Sequence, residues 1–232
     1  MGMNMRTSIN SELSQLRLLH LLSPTLPIGA FTYSQGVEWA VECGWVSDAN
    51  SLRQWVVSLL ENSMTHLEVP ILLRLYRACA EDNFEQLSYW THYLLASRET
   101  KELREEERNR GRALASLLPE LGVPLTADNL PLLKSCQLSG YAHAAHYWQI
   151  PLQSAVTGFL WGWLENIVLA GIKIIPLGQM AGQRIIAELT PSIPDHVRHG
   201  LNLADEAIGA SCTAQAIASS LHETQYTRIY RS

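Results

Sequence analysis

Apolar residues in this chain recur every three or four positions almost from end to end. Prolines and glycines cut the pattern into lengths that single helices can fill. Leu13, Leu16, Leu19 and Leu22 begin it, and the Pro24–Pro27 turn stops it. Ser34 is placed to cap a second helix carrying Val37, Ala40 and Val41, with Gly44 to end it. Asp48 reads as the N-cap for Leu52, Trp55, Val56, Leu59, Leu60 and Met64. Pro70 suits the first position of a further helix bearing Ile71, Leu72, Leu75, Tyr76 and Cys79. Asn83 with Gln86 three residues on resembles a capping box ahead of Leu87, Trp90 and Leu94. A charged helix spans about 97–118, and Pro151, Pro176 and Pro194 divide the second half. A long uncharged helix is expected over 207–221. The one strand candidate, Ile172–Ile175, is too short to matter. The pattern predicts an all-α fold, a single helical-bundle domain of roughly eight to ten helices over 1–222, followed by a tail at 223–232.

A chain of 232 residues, 47% hydrophobic, needs no covalent staple. Cys43, Cys79, Cys136 and Cys212 are scattered, so they read as reduced, mostly buried thiols of a cytosolic protein rather than a disulfide frame or zinc site. Seventeen Lys+Arg against 22 Asp+Glu give −5, which weighs against nucleic acid and against a polybasic membrane anchor. The first ten residues lack the apolar run of a signal peptide. From Ser135 to Leu164 no charge occurs, but Gln137, His143, His146, Gln149 and Gln153 make the stretch too polar to span a bilayer. It reads as buried helix in a soluble protein.

Several constellations invite chemistry. The stretch from Ser23 to Glu38 holds two prolines and two glycines, which fix a particular backbone path. Ser34-Gln35-Gly36 is half of a nucleophile elbow, but Thr32 stands where the first glycine belongs and no strand precedes it. A structured loop with a capping serine is the simpler reading. Six basic and five acidic residues interleave between Arg98 and Arg112, with Glu106–Arg110, Glu105–Arg108 and Glu107–Arg110 at pairing distance, so a solvated, self-paired face is expected. His143/His146 and His196/His199 each share a helix face, yet two imidazoles fall short of a metal site. Gly158/Gly162 and Gly178/Gly182 predict close helix contact. Lys173 is the one charge between Glu165 and Arg184 and must reach water or a partner. No nucleotide-binding glycine motif occurs. The tail, with Tyr226, Arg228, Ile229, Tyr230 and Arg231, has the residue types enriched in binding hot spots, and either folds back on its own domain or waits for a partner.

The blocks LLSPTLPIGAFTYSQGVEWAVECGWV, SRETKELREEERNRGRAL, KIIPLGQMAGQRII and HETQYTRIYRS, in this order, resemble the UreF family of urease accessory proteins. The resemblance implies an all-helical, dimeric, cytoplasmic scaffold without catalysis or cofactor of its own. It would join UreD (also called UreH) and the GTPase UreG on apo-urease for nickel insertion. Arg228, Tyr230 and Arg231 would then order against UreD. Glu38 and Lys173 match positions tied to the UreG-facing side or to activation fidelity, with Tyr33, Ser34 and Gln35 shaping the loop beside them. Two other roles compete: a regulator of UreG hydrolysis, and a direct nickel carrier using His196 and His199.

Overall fold

The computed structural model describes residues 2–232, with side chains from residue 11 onward. No strand occurs among the described residues, and the all-α expectation holds. The α-helices are α1 (Gly2–Leu22), α2 (Val37–Glu42), α3 (Ala49–Leu59), α4 (Val69–Ala80), α5 (Phe84–Ser97), α6 (Lys101–Leu117), α7 (Leu130–Ser135), α8 (Gln137–Tyr147), α9 (Leu152–Ile174), α10 (Gln179–Leu189), α11 (Ile193–Leu201) and α12 (Thr213–His222).

The organising element is α9. It is long and apolar enough to cross a bilayer, yet more than half of its most apolar window is buried inside the protein. Ala155, Val156, Leu160, Leu164 and Val168 are fully buried, and α1, α2, α3, α4, α8, α10 and α11 all pack on it. The glycine stripes act as their spacing predicts, within the chain. A Cβ on Gly158 would meet Leu22 Cδ1 at 2.9 Å, and one on Gly182 would meet Ile172 Cδ1 at 3.0 Å. Gly178 is the exception: a Cβ there would meet nothing within 4 Å, because it precedes α10 as its N-cap.

Asp48 caps α3 in a reciprocal box with Ser51. Asn83 accepts from Gln86 N at 3.1 Å, but the Gln86 side chain turns away to Trp90 Nε1. Gly44, at φ +81°, follows α2 as predicted.

The structure departs from the pattern in four places. Leu13, Leu16 and Leu19 are exposed, while Leu18 and Leu22 pack toward α9 and Leu21 is buried. A strict spacing of three drifts about 60° per step around a 3.6-residue helix, so that series leaves the buried face. Pro70 does not open a separate helix. A π-helical segment, Leu60–Glu68, joins α3 to α4 without a break, and Pro70 lies just past it in the first turn of α4. The change of pitch accommodates a residue that would otherwise remove an interior hydrogen bond. Thr65 Oγ1 donates to Leu60 O at 2.6 Å, a side-chain partner for a carbonyl inside the widened turn. The uncharged helix begins only at Thr213, because Gly209 at φ +118° breaks the path before it.

The charged helix is the fourth. Glu106 and Glu107 are buried, not solvated. Glu106–Arg110 and Glu105–Arg108 pair as expected, but Glu107 pairs outside its own helix with Arg98, at 2.7 Å. Arg98 also holds Glu68 of the π segment. A Cβ on Gly111 would lie 2.9 Å from the Cys136 backbone, and this close approach lets Glu107 Oε2 accept from Gln137 N at 3.2 Å.

Candidate functional site

The loop between α1 and α2 and the C-terminal tail are built against each other. Gln35 and Gly36 both take positive φ, +52° and +88°. Gly36 also sits under α12, where a Cβ would meet Ala218 Cβ at 3.1 Å and Ser219 N at 3.2 Å. Glycine is required there twice over, by conformation and by space. This bend aims main-chain groups of 32–34 at the tail. Arg231 N donates to Thr32 O at 2.9 Å, and Ser34 N donates to the main-chain oxygen of Ser232 at 2.6 Å. The Ser34 hydroxyl donates to the same Ser232 oxygen while accepting from Glu38 N. Ser34 is fully buried, and Gly36 rather than Ser34 occupies the N-cap of α2.

Glu38 closes the clasp. Its carboxylate, 4% exposed, accepts from Ile229 N at 2.6 Å, Tyr230 N at 2.9 Å and His222 Nε2 at 3.0 Å. His222 is fully buried, and its Nδ1 lies 2.7 Å from Glu102 Oε2. Glu102 in turn takes Arg228 at 2.9 Å. Burial alone would lower the His222 pKa, but its hydrogen bonds to Glu102 and Glu38 outweigh this and raise it. A carboxylate at each nitrogen favours the imidazolium, whose two N–H groups can both donate. Tyr230 is buried and reaches Ala170 O at 3.4 Å. Burial, then Glu38, pushes its phenol above the ordinary tyrosine value.

Six of the eight residues singled out from the sequence therefore converge here: Tyr33, Ser34, Glu38, Arg228, Tyr230 and Arg231. Tyr33 is buried, and with Arg228 and Arg231 it borders one surface cleft. Gln35 looks the other way, into the protein. It donates to Glu106 at 3.1 Å and accepts from Trp163 at 3.0 Å. Beside it lies a cavity of about 100 Å³ whose polar wall includes Glu68, Arg98, Glu107 and Arg110. Burial raises the Glu106 carboxyl, whereas Arg98 and Arg110 outweigh burial and hold Glu107 low. Lys173 stands apart on the exposed end of α9 with no ion pair among the described residues.

His222 and Glu102 were not singled out from the sequence, although Glu38 carried a signal. A charge among Val37, Trp39, Ala40 and Val41 has to find a partner when its helix packs. Of the other candidates, His143 Nε2 donates to Pro124 O at 2.9 Å, and burial lowers its pKa. Cys79, Cys136 and Cys212 are buried, Cys43 is exposed, and all four are free. Burial and Glu107 push the Cys136 thiol to about 12.

The best-built feature is thus a buried clasp in an all-helical protein that holds the chain's own residues 229–232 on the loop before α2. Its relatives sharpen this. A family model described as UreF matches residues 46–190. The chain is 49% identical to the urease accessory protein UreF of Alcanivorax borkumensis over 225 residues, covering 93% of this chain and 97% of that protein. It is 46% identical to the urease accessory protein UreF of Pseudomonas putida strain W619, with 97% and 100% covered. The protein of the same name from Enterobacter sp. is 42% identical over 218 residues. The chain belongs to the UreF family.

Proposed function

We propose that this protein is a non-catalytic, cytoplasmic scaffold of urease maturation. It joins a UreD/UreH partner and the GTPase UreG on apo-urease while nickel is inserted, and it works as a homodimer. The observation that carries the reading is how the tail is held. The clasp grips main-chain groups of 229–232, while Ile229 remains 75% exposed and Tyr226 fully exposed. Apolar side chains displayed on an anchored backbone are recognition chemistry. Residues 223–232 serve as the handle for UreD, with exposed Arg228 and Arg231 as its polar points and buried Tyr230 as the anchor behind them. Tyr33, Ser34, Gln35 and Glu38 set its position, and exposed Lys173 is available to the GTPase side. Coupling to GTP state needs only different affinities for the two forms of the GTPase.

Deleting Thr227–Ser232 should abolish co-purification with UreD while leaving far-UV circular dichroism unchanged. Full retention of the complex by the truncated chain would refute the role given to the tail.

A further inference from the structure

Three imidazoles that take no part in the clasp meet where α11 crosses the π-helical segment. Gly200 permits the crossing: a Cβ there would lie 2.5 Å from Val69 Cγ1 and 2.6 Å from Thr65 O. The approach puts His196 Nδ1 2.9 Å from Thr65 Oγ1 and sets the His199 ring edge-on to His66, centroids 5.1 Å apart.

The proton positions follow from the partners. Thr65 has one hydroxyl proton, and Leu60 O, a carbonyl, can only accept it. Thr65 Oγ1 therefore accepts from His196, whose proton lies on Nδ1. His66 Nδ1 faces the carbonyl of Glu61 at 2.8 Å, so it too is the N–H. When neutral, both rings present a bare Nε2 that no group among the described residues takes up. Metal-binding histidines are prepared in this way, one nitrogen donating to a protein oxygen and the other left as ligand.

We propose that His66, His196 and His199 form a site for an imidazole-preferring first-row dication of the nickel and zinc class. No three ligating side chains already stand at coordination distance among the described residues. The site closes by rotation of the His199 ring, which is exposed and makes no hydrogen bond among the described residues. His66 and His196 are the fixed ligands and His199 the swinging one. The sequence pairs His196 with His199 but gives no hint of His66, which the π segment supplies from 130 residues earlier in the chain. The site shares no residue with the clasp, so its fate and that of the scaffold reading are separable.

Calorimetric titration of the untagged full chain at pH 7.5, with nickel chloride and separately with zinc chloride, tests it. One ion per chain is expected, with affinity weakened at least about tenfold in His199→Ala and in His66→Ala and unchanged in His143→Ala. His199→Ala is the decisive variant, because an exposed side chain can be removed without loss of fold. Wild-type affinity in His199→Ala, absence of stoichiometric binding, or loss of binding in His143→Ala would each overturn the assignment.

Discussion

Glu38 joins three donors from two segments at one buried carboxylate, and the cost of altering it follows from that. In Glu38→Gln the carboxylate opposite the imidazolium is gone, and an amide N–H faces donors. Breaking a buried pair by removing one partner costs about 3–5 kcal/mol. The expected outcome is a lower melting temperature, with amide exchange at Ile229 and Tyr230 accelerated before any loss of helix. His222 adds a pH dependence of definite sign. Its pKa is raised in the folded state, so its contribution is fully present below the unfolded value of about 6.5. The contribution is lost as pH climbs through the folded value. Denaturant titrations at successive pH values should show stability declining across that window, and His222→Gln should flatten the decline.

At the scale of the element, α6 shows what a sequence discloses and what it hides. Leu103, Glu107, Gly111 and Leu114 recur at helical spacing, and all four are buried. The stripe was present but obscured, because its second member is an acid read as solvated. Caps were legible at Asp48, Asn83 and Gly44, since each depends on residues within one turn. The Glu68–Arg98–Glu107 grouping was not, since Glu68 lies 30 residues from Arg98 and its partner is decided by packing. Nor was the π segment, whose nine residues are too few to set its period apart. In the clasp, Glu38 and the tail were visible as oddities, but their contact across 191 residues was not. Gly111→Ala tests the close approach directly. The atoms facing the added methyl are backbone of Leu133 and Cys136, which cannot rotate aside. A loss of about 1–3 kcal/mol in chemical denaturation is expected.

Across the whole molecule, the half-buried Arg98 ties the π segment, the end of α5 and α6 into one charged knot beneath the cavity. Removing the arginine strands two buried carboxylates. Arg98→Met should therefore cost about 3–5 kcal/mol, and the triple variant with Glu68→Gln and Glu107→Gln should recover much of it. Thermal unfolding of the pair distinguishes this from simple loss of packing, which the triple variant would not restore. The clasp has a different consequence at this scale. Because it takes hold of amide and carbonyl groups, it is largely indifferent to which side chains stand at 229 and 231. On the scaffold role proposed above, those positions can drift in step with a partner's surface while the anchorage survives. Exchanging these two residues between distant relatives should switch binding preference without loosening the tail.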